Sequence, residues 1–98
     1  MRMMLKVRID TERGNEAMRS GALAKAVQAL IEQVKPEAAY FALEDGMRCG
    51  FVFFDMTDQT MMPAIAEPLF MNLGAELEWT PAMNMDDLVK GLASMPAM

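Results

Sequence analysis

The stretch Ala38-Ala39-Tyr40-Phe41-Ala42-Leu43-Glu44-Asp45-Gly46-Met47-Arg48-Cys49-Gly50-Phe51-Val52-Phe53-Phe54-Asp55 decides the fold. Asp45-Gly46 is a two-residue hairpin signal, because both residue types tolerate the positive φ that such a turn needs. The apolar runs at 38–44 and 47–55 read as the two strands it joins. If Asp45-Gly46 is the whole turn, Leu43 opposes Arg48 and Tyr40 opposes Phe51. Residues 51–54 are apolar on both sides of the pleat. That predicts a central strand covered on both faces.

Working outward, residues 3–10 alternate: Met3, Leu5, Val7 and Ile9 share one side, Met4, Lys6, Arg8 and Asp10 the other. Period two predicts a half-buried strand. Thr11 to Asn15 reads as a polar loop containing Gly14. Residues 16–35 read as helical, with Leu23, Val27, Leu30, Ile31 and Val34 forming an apolar stripe. Ser20-Gly21 predicts a short turn of helix before the main one, and Pro36 ends it.

Beyond the hairpin, Thr57 or Asp58 can cap a turn. Residues 61–73 read as a helix with Met62, Ile65, Leu69, Phe70 and Leu73 on its core face. Pro63 suits the first turn, Pro68 is expected to kink the helix, and Gly74 stops it. Met61, Ala64, Pro68 and Met71 fall off that face and form a candidate contact patch. Residues 75–83 alternate again as a fourth strand, an edge or a short one because of Pro81. Asn84 caps a last helix with Asp86 and Asp87 in its first turn and an apolar stripe of Leu88, Val89 and Leu92. Residues 95–98 are expected to fray.

The chain has 98 residues, which predicts a single domain. Nine Lys+Arg against fourteen Asp+Glu give a formal net charge of −5, and 53% of residues are hydrophobic. The acidic balance argues against binding nucleic-acid phosphates. Apolar runs are too short to span a bilayer, and the N-terminus carries no signal-peptide core. There is no His, which removes the commonest general base and the usual haem, zinc and triad chemistry. The single Cys49 excludes an intrachain disulfide and fits a reducing compartment. A cytoplasmic protein without metal or cofactor is expected. Thirteen Met residues could offer thioethers to Cu(I), but their scattered spacing specifies no site. They read instead as adaptable core filler.

Strand, helix, strand, strand, helix, strand, helix is the split β-α-β, ferredoxin-like order of an α+β fold. Its usual sheet order is 4-1-3-2, with both main helices on one face. The other face is left open. A second copy covering it is the economical solution, since two-fold homodimers are the commonest closed assembly. Asp placed at Val52 or Phe54, whichever faces that interface, would then disrupt the dimer.

Several segments carry a resemblance over nearly every element: Gly14-Asn15, Pro36-Glu37-Ala38-Ala39-Tyr40-Phe41, Asp45-Gly46-Met47-Arg48, Phe54-Asp55, Pro63-Ala64-Ile65-Ala66-Glu67-Pro68, and Thr80-Pro81-Ala82-Met83-Asn84 with Asp87-Leu88. The chain resembles the dimeric α+β barrel superfamily, which includes small monooxygenases and muconolactone isomerase-like proteins. More narrowly, it is similar to a family of small bacterial proteins of unknown function. The resemblance implies a homodimer. The absence of His departs from the haem-degrading and chlorite-dismutase-like members.

Five residues are candidate ligand contacts. Lys6 and Arg8 point to the open face of a central strand, where they form either a charge ladder with Glu76 and Glu78 or a cationic floor. Arg48 either pairs with Glu44, Asp45 or Asp55, or clamps a carboxylate or phosphate. Tyr40 packs or donates a hydrogen bond to a ligand. Glu67, just before Pro68, reads as a solvated or interface acid, or as a group that caps or coordinates something across the dimer. Cys49 reads as a small buried hydrophobe.

Two functions follow as expectations. One is a non-catalytic homodimer binding a small molecule or a partner. The alternative is a cofactor-independent monooxygenase- or isomerase-like enzyme, using Arg48, Lys6, Arg8 and Tyr40 to polarise a small carbonyl or aromatic substrate. A deep apolar cavity lined by all four would favour the enzyme. Lys6 and Arg8 consumed by Glu76 and Glu78 would favour the structural reading.

Overall fold

A computed structural model describes all 98 residues. Its elements are β1 (Arg2–Ile9), α1 (Thr11–Ser20), α2 (Ala22–Val34), β2 (Ala38–Glu44), β3 (Met47–Asp55), a 3-10 turn at Gln59–Met61, α3 (Met62–Leu73), β4 (Glu76–Pro81) and α4 (Met85–Ala93). The sheet order is β2-β3-β1-β4, with every neighbouring pair antiparallel. This is the α+β, ferredoxin-like order expected from the sequence. No helix is long and apolar enough to cross a membrane.

Alternation sets the two faces of the sheet. On β1, Met3, Leu5, Val7 and Ile9 are buried under the helices. Register adds Arg48, Gly50, Val52 and Phe54 of β3 to that face, opposite Ile9, Val7, Leu5 and Met3 in turn. Leu5 and Phe54 are wholly buried. Trp79 of β4 meets the Phe54 ring edge-on, centroids 6.5 Å apart. Ile65, Leu69 and Leu73 of α3 and Leu30 and Val34 of α2 close the core from above.

The hairpin register is as predicted, with Leu43 opposite Arg48 and Tyr40 opposite Phe51. Asp45 and Gly46 both take positive φ, 52° and 76°. β3 is central, as expected, but this chain covers only one of its faces. Val52 and Phe54 face the helices, so neither can serve as the open-face position. Phe51 and Phe53 hold that face and are half-buried.

Two further expectations are corrected. Thr11 to Asn15 is the first half of α1 rather than a loop. Asp10 caps it, its carboxylate accepting from the Arg13 N–H at 3.1 Å, and Glu12 sits favourably in the first turn. The segment before Gly21 is thus a ten-residue helix, separated from α2 by Gly21 at φ 83°. On α3, Ala66 is buried and Phe70 is 44% exposed, while Met61 of the preceding 3-10 turn packs against the core. The stripe at 62, 65, 66, 69 and 73 is centred away from Phe70. Finally, α4 is capped by Asn84 with a full capping box to Asp87, yet buries nothing: Leu88, Val89 and Leu92 all face solvent.

Candidate functional site

The two faces of the sheet carry different chemistry. On the open face, alternation lines up Glu78, Lys6, Phe51 and Tyr40 across the four strands, and next to them Glu76, Arg8, Cys49 and Ala42. Lys6 pairs with Glu44 and, at 3.2 Å, with Glu78. Arg8 reaches Glu76 at 3.0 Å, Asp45 at 3.2 Å and Glu44 at 3.5 Å. Four carboxylates surround two cations, so the cluster is net acidic and leaves no free cation for an anionic ligand. Hydrogen bonding to Glu44 raises the Lys6 pKa above the usual lysine value, and hydrogen bonding to Glu76 does the same for Arg8. The charge ladder anticipated with Glu76 and Glu78 is present, extended by Glu44 and Asp45 from the hairpin.

Cys49 lies within this face and is buried. Burial, then the nearby Glu44, pushes its thiol up, away from the reactive thiolate. Tyr40 is exposed at the outer strand. It is in line with Lys6, with Phe51 between them.

Arg48 is on the other face. It stands in the last row of the sheet between Leu43 and Ile9. The carboxylates expected as its partners do not reach it. Its Nη2 donates to Asn15 Oδ1 at 3.0 Å, and Nη1 makes a longer contact with the Thr11 carbonyl at 3.5 Å. The guanidinium lies against Gly14, where a Cβ would come within 2.5 Å of Nη1. A side chain at position 14 of α1 would therefore have to displace the Arg48 guanidinium.

Arg48 ends an apolar groove of about 490 Å³. One wall is α2, through Leu23, Val27 and Ile31. The other is β2, whose helix-side residues Phe41 and Leu43 are 61% and 75% exposed. Val7, Ile9 and Val52 line it from the sheet, and the Phe41 ring lies over Gly50. The helices cover the rest of the sheet but stop short of this outer strand. Thirteen of the fifteen lining residues are hydrophobic; the others are Gly50 and Arg48. The size is within the usual range of small-molecule sites, roughly 300–1,000 Å³.

The five candidate residues thus fall into three places. Lys6, Arg8 and Tyr40 share the open face. Arg48 alone enters the apolar groove. Glu67 is exposed on α3, opposite that helix's buried stripe. No group of three or more Cys, Asp or Glu residues is placed to hold a metal ion. The groove itself was not anticipated. Its signal was the pair Phe41 and Leu43 on an outer strand, alternating in phase with Arg48 across the hairpin.

No protein-family model matches the chain, and no curated protein matches it. Among solved structures, the chain is similar to a de novo designed protein, Ferredog-Diesel, at 14% identity and a TM-score of 0.49. The match covers 83% of this chain and 85% of that one.

Proposed function

We propose that this chain is a non-catalytic homodimeric protein that binds a small apolar molecule in the groove between α2 and β2. The observation that carries the reading is the groove: an apolar trough of ligand size with one polar side chain at its end. The enzyme alternative needs Lys6, Arg8, Tyr40 and Arg48 around one substrate. Their division between two faces of the sheet works against it, and so do the carboxylates that occupy Lys6 and Arg8.

The homodimer reading is supported by two surfaces. On the open face, Met4, Phe51 and Phe53 are only half-buried, at the centre of the sheet. The nine-residue α4 leaves its apolar stripe exposed. Isolated helices shorter than about 12–15 residues are marginal in water, so a helix like α4 gains stability mainly by packing that stripe against something.

An uncharged apolar dye such as Nile red tests the groove. Wild-type protein should enhance its fluorescence, and Val27→Glu should abolish the enhancement. Met71→Glu, on the exposed side of α3, should leave it unchanged. Equal enhancement by all three proteins would refute the groove as the site.

A further inference from the structure

We infer that the groove takes a single-chain amphiphile carrying one carboxylate, with the chain along α2 and the head on Arg48. The inference deepens the groove reading above and rests on it. The first observation is composition: the only polar side chain among the lining residues is a cation. An apolar trough ending in one positive charge matches a ligand with an apolar body and one negative end.

The second observation is that this charge is unspent. Arg2 pairs with Glu37 and Asp87, Lys6 with Glu44 and Glu78, and Arg8 with Glu44, Asp45 and Glu76. Of the half-buried cations, Arg48 alone has no carboxylate partner. The remaining Lys and Arg side chains belong to exposed residues. A guanidinium has five N–H donors. The contacts to Asn15 and Thr11 orient Arg48 through neutral oxygens, leaving donors free and the charge uncompensated. A planar carboxylate fits such a fork with two parallel hydrogen bonds. A doubly charged head would need a second cation, and the groove lining holds none.

The third observation is the seat. Gly14 lets the guanidinium lie against α1, fixing it at the groove's end rather than in free solvent. Burying the ligand's apolar chain against the groove walls supplies the bulk of the affinity. The head therefore need only supply selectivity.

The test is calorimetric titration of the full chain with decanoate and 1-decanol. Decanoate should bind ~10-fold tighter, the scale expected of a charge-assisted hydrogen bond. Arg48→Met should keep 1-decanol binding and erase the preference. Should Arg48→Met fail to fold, Gly14→Ala displaces the guanidinium without removing it and should also lower the preference. Equal binding of both probes to the wild type overturns this inference and leaves the groove reading intact. So does a preference that survives in Arg48→Met. Binding of neither probe overturns both.

Discussion

The smallest unit with a functional consequence is the pair Gly14 and Arg48. A residue that reads as loop punctuation is a helix position against which a guanidinium rests, in space that a side chain there would contest. Local pattern could not show this, because the reason lies in a strand thirty-four positions away. Strand alternation did place Lys6 and Arg8 on a common face, and the sheet register adds Tyr40 to it. Arg48 was grouped with them, although the hairpin register alone already sets it out of phase with Tyr40. The missing link was the β1–β3 register, which puts Arg48 opposite Ile9 rather than Arg8; a shift of one residue exchanges the faces.

The ladder at Lys6 predicts a pH dependence. Its folded pKa is raised, first by hydrogen bonding to Glu44, so its contribution is fully present below the ordinary value of 10.5. It is lost as pH rises from there through the folded value. Urea denaturation of wild type and Lys6→Met at several pH values should show a stability gap that is constant at neutral pH. The gap should close only above 10.5. A gap that closes between pH 6 and 8 would contradict the pairing.

At the scale of elements, most boundaries were legible because each has a local cause. Examples are the Asp45-Gly46 turn, Pro63 at the start of α3, Gly74 at its end and the Asn84 cap. α1 was missed over its first half because its composition is polar and contains Gly14. The Asp10 cap with Glu12 behind it was the readable signal. α3 runs from Met62 to Leu73 with Pro68 inside it. Proline in a helix interior costs about 3 kcal/mol relative to alanine, offset by roughly 1 kcal/mol of unfolded-state restriction. Pro68 is exposed, so Pro68→Ala should meet no packing obstacle. It should raise stability by about 1–3 kcal/mol, read from the urea midpoint at constant slope. A loss of stability would mean that Pro68 makes a contact the isolated chain does not contain.

For the whole molecule, the order of elements was sufficient to give sheet order and helix placement, since few topologies satisfy the connection rules. What lies outside the chain was only indirectly legible. Part of the 53% hydrophobic share of the sequence lies on two uncovered surfaces, the half-buried aromatic centre of the open face and the α4 stripe. The groove escaped notice because it depends on where helices stop relative to an outer strand, which no periodicity encodes. If a second copy covers the open face, Phe53→Asp should give monomer or aggregate by light scattering at micromolar concentration. An unchanged dimer would move the interface elsewhere.

The most direct measurement of the central claim is native mass spectrometry of freshly purified protein. The proposal predicts twice the 10.9 kDa chain mass, with an added small molecule that Val27→Glu loses. A bare 10.9 kDa monomer would contradict both the dimer and the ligand.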